Sequence, residues 1–137
     1  MRRHSLSFTL IELLVVIAIL GILSAVGVVS YNGYTWSAKV KQAELNLNSI
    51  LLAQEEYRSN NGTYLYKPSS CSANSGKQIA ATLYDGKDKL TETGWQFCFG
   101  GSPNNDTLEI KAKHPGKNCL MTLNEKTTPL VAKSSNC

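Results

Sequence analysis

Residues 8–29 read FTLIELLVVIAILGILSAVGVV, from Phe8 to Val29, a run of 22 residues in which Glu12 is the only charge. Wound as an α-helix at about 1.5 Å per residue, the run covers roughly 33 Å, enough to cross the hydrocarbon core of a bilayer. It is a membrane segment at some stage of the life of the chain, and the remaining residues are organised around it.

The carboxylate is misplaced for a plain membrane anchor. An ionised side chain near the start of an apolar span costs on the order of a few kcal/mol unless it is paired. One pairing is local: Thr9-x-x-Glu12 has the spacing of a capping box, in which hydroxyl and carboxylate satisfy the orphan backbone N–H groups of a helix start. The other is a partner charge from outside the segment. A short leader, MRRHSLS, precedes the run, and its Arg2 and Arg3 hold the N-terminus on the cytoplasmic side. An ordinary secretory signal peptide has a 7–15 residue apolar core and a small-x-small cleavage site. Here the uncharged run Leu13 to Val29 is 17 residues long, and Glu12 interrupts the start of such a core.

The string Ser7-Phe8-Thr9-Leu10-Ile11-Glu12-Leu13, with the basic leader before it and the apolar helix behind, resembles the N-terminus of a type IV prepilin, a class III signal sequence. The resemblance implies that a prepilin peptidase on the cytoplasmic face cuts between Ser7 and Phe8 and methylates the new amine of Phe8. It implies that Glu12 pairs with the Phe8 amine of a neighbouring subunit and sets register during assembly. A carboxylate and an ammonium buried together cost far less than either alone. Two positions depart from the family pattern. Ser7 stands where Gly is usual, so slower processing is expected, and Val29 stands where many members have Pro, which removes a fixed kink. The resemblance extends to about Tyr64.

Composition bounds the rest. The 137 residues make one domain, and only 77 of them, 61–137, remain for a globular head once the helix is set aside. A core that small usually needs staples. All four cysteines, Cys71, Cys98, Cys119 and Cys137, lie in that part and none forms a CxxC pair, so disulfides are favoured over metal ligation. The net charge of +4 includes Arg2 and Arg3; the +2 that remains is no nucleic-acid footprint by itself.

From Ser30 to Asn60 the pattern becomes amphipathic. Trp36, Val40, Ala43, Leu47, Ile50, Leu51 and Tyr57 recur at spacings of three and four on one face, with Lys39, Lys41, Glu44, Asn48, Glu55 and Arg58 on the other. Gly21, Gly27 and Gly33 are the weak points, each costing about 1 kcal/mol relative to Ala in a helix interior. Helix loss near Gly21, which the resemblance implies for assembled pili, and close helix packing at the glycines are equally good readings. The helix stops at Asn60-Asn61-Gly62. Thr63 to Thr93 is read as an irregular connection containing Pro68, SSCSANSG and the turn signal Asp85-Gly86, with Ile79–Tyr84 as a helical turn or an edge strand.

Strands follow: Gly94–Phe99, ending at Gly100-Gly101; Thr107–Lys113; Cys119–Leu123; and Pro129–Ala132 as a fourth. Short turns between them imply an antiparallel meander. The fold class is α+β, a ladle in which a long N-terminal helix packs on a small antiparallel sheet with a disulfide-closed C-terminal region. Its parts are a leader, 1–7; a helix, 8–60, divided into a transmembrane or filament-core half, 8–29, and an amphipathic half, 30–60; and a head, 61–137, divided into a connecting loop, 61–92, and the sheet with its disulfide loop, 93–137. Four cysteines allow three connectivities. Cys119 with Cys137 is favoured because pilins of this kind often close a surface loop that way, which leaves Cys71 with Cys98.

Enzyme chemistry has no support: beyond the leader the only histidine is His114, in a turn beside Pro115, where it is read as solvated. Asp85 and Asp88 are the only candidate Ca²⁺ ligands, and Lys87 and Lys89 oppose a cation there; no metal or cofactor is expected. The sequons at Asn61 and Asn105 carry little weight. Residues 61–137 hold nine Lys and six acidic residues, and Lys111, Lys113 and Lys117 cluster, so DNA phosphates are a conceivable partner. Strand alternation, however, explains a solvated lysine face, and Trp95 and Phe97 read as core. The chain is read as a structural subunit of a type IV pilus, anchored in the bacterial inner membrane before assembly and extracellular after it. Its partners are the prepilin peptidase, the assembly machinery and further copies in a helical filament serving roles such as adhesion or twitching motility. The alternatives are a DNA-binding minor pilin and a type II secretion pseudopilin. Pseudopilins commonly bind calcium in the head and lack a C-terminal disulfide, so the tail cysteines argue against the second.

Overall fold

A computed structural model describes residues 8–87, 90–126 and 131–137. The leader, with Ser7, lies outside the described residues, as do Asp88 and the first half of the expected fourth strand. Two compact units divide the chain after Ala38. The first is the N-terminal part of α1 (Leu10–Asn61), helical throughout its described length.

The second unit, Lys39–Cys137, holds the rest of α1, a short helix α2 (Ser75–Leu83), and four strands: β1 (Gln96–Ser102), β2 (Thr107–His114), β3 (Cys119–Asn124) and β4 (Val131–Lys133). The strands pair antiparallel in sequence order, the meander expected from the short turns. Its inner face follows the alternation: Phe97 and Phe99 on β1, Leu108, Ile110 and Ala112 on β2, Met121 and Leu123 on β3, all buried. The helical stripe Val40, Ala43, Leu47 and Ile50 is buried with them, together with Ile79 and Ala80 of α2. Helix and sheet each bury one apolar face, and each supplies the other's cover.

α1 ends where the Asn-Gly signal placed it, with Gly62 at φ 78° and its N–H on the Arg58 carbonyl at 2.7 Å. Two expectations need correction. The connection is not irregular throughout: α2 begins inside the Ser-rich patch. Ser75 Oγ donates to the Ser72 carbonyl at 2.7 Å and accepts from the Ser72 N–H at 3.2 Å, while a Cβ on Gly76 would lie 3.1 Å from Thr91 Cγ2. A side chain larger than glycine at position 76 would crowd Thr91, so the small residue suits the close packing of α2 there. Second, β1 does not stop before Gly100-Gly101 but runs through both. Gly101 has φ 102° and a Cβ there would sit 2.0 Å from the Thr107 carbonyl oxygen, so these glycines let β1 close against β2.

Two polar devices anchor the end of α1. Gln54, fully buried, donates to the Leu65 carbonyl at 2.8 Å and accepts from the Leu65 N–H at 2.9 Å, substituting for a strand neighbour. Tyr64, also buried, places its hydroxyl 2.6 Å from Glu55 Oε1 and 2.8 Å from Glu125 Oε2, and accepts from Arg58 at 3.0 Å. Arg58 also pairs with Asp106. The phenol thus ties the last turns of α1 to the turn beyond β3, and Arg58 ties them to the turn beyond β1.

Burial first, and then the two carboxylates, hold the Tyr64 phenol far above its ordinary pKa. The fold therefore favours the protonated phenol. Its contribution is complete below the ordinary tyrosine value of about 10 and is lost as pH climbs toward the raised one. Tyr64→Phe is expected to destabilise the head by about 1–3 kcal/mol at neutral pH. It should also flatten the loss of stability above pH 10, in denaturant titrations followed across that range.

Candidate functional site

The local chemistry of the N-terminal unit is a capped helix start followed by uncovered apolar surface. Thr9 opens α1: its N–H and its hydroxyl both donate to Glu12 Oε2, at 3.0 and 2.7 Å, and its Oγ1 accepts from the Glu12 N–H at 3.3 Å. These are the reciprocal bonds of a capping box. Both bonds into the carboxylate fall on Oε2, and Oε1 takes neither. Every residue from Phe8 to Val28 is exposed, with Phe8 and Leu10 each at 82%. A patch of that extent is far larger than a water-facing surface tolerates. The polar groups inside it are satisfied by the helix itself, as Ser24 Oγ donates to the Leu20 carbonyl at 2.7 Å. Gly21 lies within unbroken helix, and a Cβ there would meet nothing within 4 Å.

In the second unit the four cysteines form Cys71–Cys98 and Cys119–Cys137, across 27 and 18 positions of sequence. The first ties the connection to β1. The second closes the C-terminal tail onto β3, beside the Ser134 N–H to Leu120 carbonyl bond at 2.9 Å and the Leu120 N–H to Ser134 Oγ bond at 3.0 Å. Of the lysines that suggested DNA, Lys111 and Lys113 lie two residues apart on β2, Lys111 pairing with Glu109 at 3.2 Å above Gly100 and Lys113 opposite Gln96 and Leu120, while Lys117 lies in the turn after β2. Trp95 and Phe97 are core.

His114 differs from its expected placement. It is the last residue of β2, half-buried, with its ring edge-on to Trp95 at 5.1 Å between centroids. Burial, with Lys39 and Lys117 nearby, holds its pKa below the usual imidazole value. Among the described residues no cluster of His, Cys, Asp and Glu is arranged to hold a metal ion. Asp85 sits in the turn after α2 with φ 51°. No local spacing points to Tyr64 or Gln54, because their partners lie far along the chain or on the backbone.

Residues 2–28 match the prokaryotic N-terminal methylation motif. Over 57 residues, 42% of this chain, the sequence is 47% identical to the type IV major pilin protein PilE1 of Neisseria gonorrhoeae and to a fimbrial protein of Neisseria meningitidis serogroup B. Over the same length it is 37% identical to the type IV major pilin protein PilA of Myxococcus xanthus. The chain spans 34% of the length of the Neisseria relatives and 26% of the Myxococcus one. No solved structure matches.

The tail disulfide yields a direct test. The paired substitution Cys119→Ser with Cys137→Ser is expected to lower head stability by about 2–4 kcal/mol. Denaturant unfolding of the oxidised double variant against the oxidised parent measures it. A loss under about 1 kcal/mol would show that the Ser134–Leu120 hydrogen bonds hold the tail unaided.

Proposed function

From a chain that combines the N-terminus of a type IV pilin with a helix-on-sheet head consistent with the pilin fold, we propose a structural subunit of a type IV pilus. The precursor is anchored in the inner membrane by residues 8–29 and cut by prepilin peptidase between Ser7 and Phe8. Methylated on the Phe8 amine, it is polymerised with further copies into a helical filament outside the cell. The observation that carries this reading is the uncovered apolar run that begins at Phe8 and is helical from Leu10. Such a surface is stable in lipid or against other helices, so assembly exchanges one cover for another with little net exposure to water.

Glu12 has two tasks in this scheme. Oε2 serves the capping box of its own helix, and Oε1 is the acceptor for the Phe8 ammonium of a neighbouring subunit. That pair lets both charges leave water together, and removing one partner of such a buried pair costs about 3–5 kcal/mol. Gly21 is the place where α1 loses helicity most cheaply if the filament requires it.

Glu12→Gln separates the two tasks, because a glutamine at this position keeps the capping box and drops the charge. Expected are normal cleavage and methylation of the variant and loss of surface filaments, counted by microscopy and by the sheared-pilin yield. Normal filaments from Glu12→Gln would reduce Glu12 to a helix cap. The processing itself is read from intact mass and N-terminal sequencing of sheared filaments. The expected chain begins at N-methylated Phe8 and is lighter by the hydrogens lost in two disulfides. A chain beginning after Ser24 or Ala25 would replace the pilus reading with ordinary secretion.

A further inference from the structure

Charge alone does not say where the helix leaves the membrane. Between Glu12 and Lys39 there is no charged residue, an interval of roughly 40 Å of helix against a hydrocarbon core of about 30 Å. The boundary on the far side must be set by something else.

Two tyrosines stand at the required distance. Tyr31 is 19 residues beyond Glu12, roughly 29 Å along the axis, and Tyr34 is one turn further, roughly 4–5 Å outward. They lie on one helix face, as residues three apart do, and are 67% and 75% exposed. Tyr31 also forms one side of an open groove of about 390 Å³, lined by Ser24, Gly27, Val28 and Asn32. A phenol is apolar in its body and polar at its tip, which suits the level where acyl chains meet headgroups.

We propose that Tyr31 and Tyr34 form an aromatic belt that binds the phospholipid interface on the far side of the membrane. Glu12 then marks the near boundary of the hydrocarbon and Tyr31 the far one. Asn32 and Gly33 fall in the headgroup layer, and the tyrosines fix the depth and rotation of the helix while it waits in the bilayer. The proposal rests on the membrane-anchored precursor of the preceding subsection.

The test uses the full chain labelled with fluorotyrosine, in bicelles of phosphatidylethanolamine-like and anionic phospholipids, with Tyr31→Phe and Tyr34→Phe to assign the two signals by fluorine NMR. Relaxation is measured with lipids spin-labelled near the carbonyl, with lipids spin-labelled at the chain end, and with an aqueous gadolinium chelate; buried Tyr64 is the internal reference. Expected is broadening of both signals by the carbonyl-level label roughly twofold beyond the chain-end label, with partial broadening by gadolinium. Broadening by gadolinium alone, stronger broadening by the chain-end label, or no broadening by any agent, as when a second copy covers the rings, each overturns the belt. Diffusion measured on the same sample separates the two readings. A chain that diffuses with the bicelle while failing the relaxation test refutes the belt alone, whereas a chain that diffuses apart from it refutes the membrane anchor as well.

Discussion

An apolar helix twenty residues long cannot stand in water, and the rest of this chain is arranged around that constraint. From Phe8 to Val28 the side chains are exposed and the backbone is closed on itself. The helix thus satisfies its hydrogen bonds and leaves its surface to be covered by something else. Lipid meets that need without specificity, since any apolar side chain is as good as another there. Neighbouring helices meet it with shape. In the proposed assembly the carboxylate of Glu12 would turn this non-directional demand into a directional one, because an ion pair with an incoming amine is satisfied in one register only.

Beyond Ala38 the same α1 is covered from within. Val40, Ala43, Leu47 and Ile50 are buried together with strand residues, and the energy is again hydrophobic, at about 25 cal/mol per Å² of apolar surface removed from water. A head of this size gains little margin from burial alone. The difference is supplied by groups that restrict the chain: two disulfides, the Gln54 amide clasped to Leu65, and the Tyr64 phenol among Glu55, Glu125 and Arg58. Glu44 adds a link between α1 and β4, taking Lys41 and Lys133 each at 3.1 Å on the same oxygen. The hydrogen bond from Lys41 and then that from Lys133 hold its carboxyl below its usual range. It is a partly exposed pair of bridges and contributes modestly.

The legible parts of the chain are those whose signal is periodic or local. The stripe from Val40 to Ile50, the alternation of Leu108, Ile110 and Ala112, and the Asn-Gly stop at the end of α1 each follow from neighbours within a few residues. The box between Thr9 and Glu12 does too, because its four atoms belong to one turn. What escaped was set by distant contacts. Gly76 of α2 packs closely on Thr91, Gly100 lies against the Glu109 and Lys111 side chains, and Gly101 lies against the Thr107 backbone. Small residues read alike whether they break an element or let another approach it. Pro115 beside it predicts a solvated His114, yet the ring lies edge-on to Trp95, nineteen positions back, and is half-buried. Spacing could not choose among three disulfide connectivities, for the same reason.

One further consequence concerns the division of labour along α1. Its two halves draw on the same physical effect with opposite requirements for specificity. In the head half, each apolar residue faces one set of partners, so a change of volume at Leu47 or Ile50 is felt as a cavity or a clash. On the proposed route the residues of the N-terminal half would have to suit two covers in turn, first fluid lipid and then protein, and shape cannot be optimised for both. Branched and unbranched aliphatics alternate there without a fixed period, and the residues of other chemistry are few: the charge at Glu12, the glycines, and the tyrosines where the apolar run ends. A helix that must exchange its surroundings keeps its specificity in a handful of polar or small positions, and leaves the rest of its surface free to be covered twice.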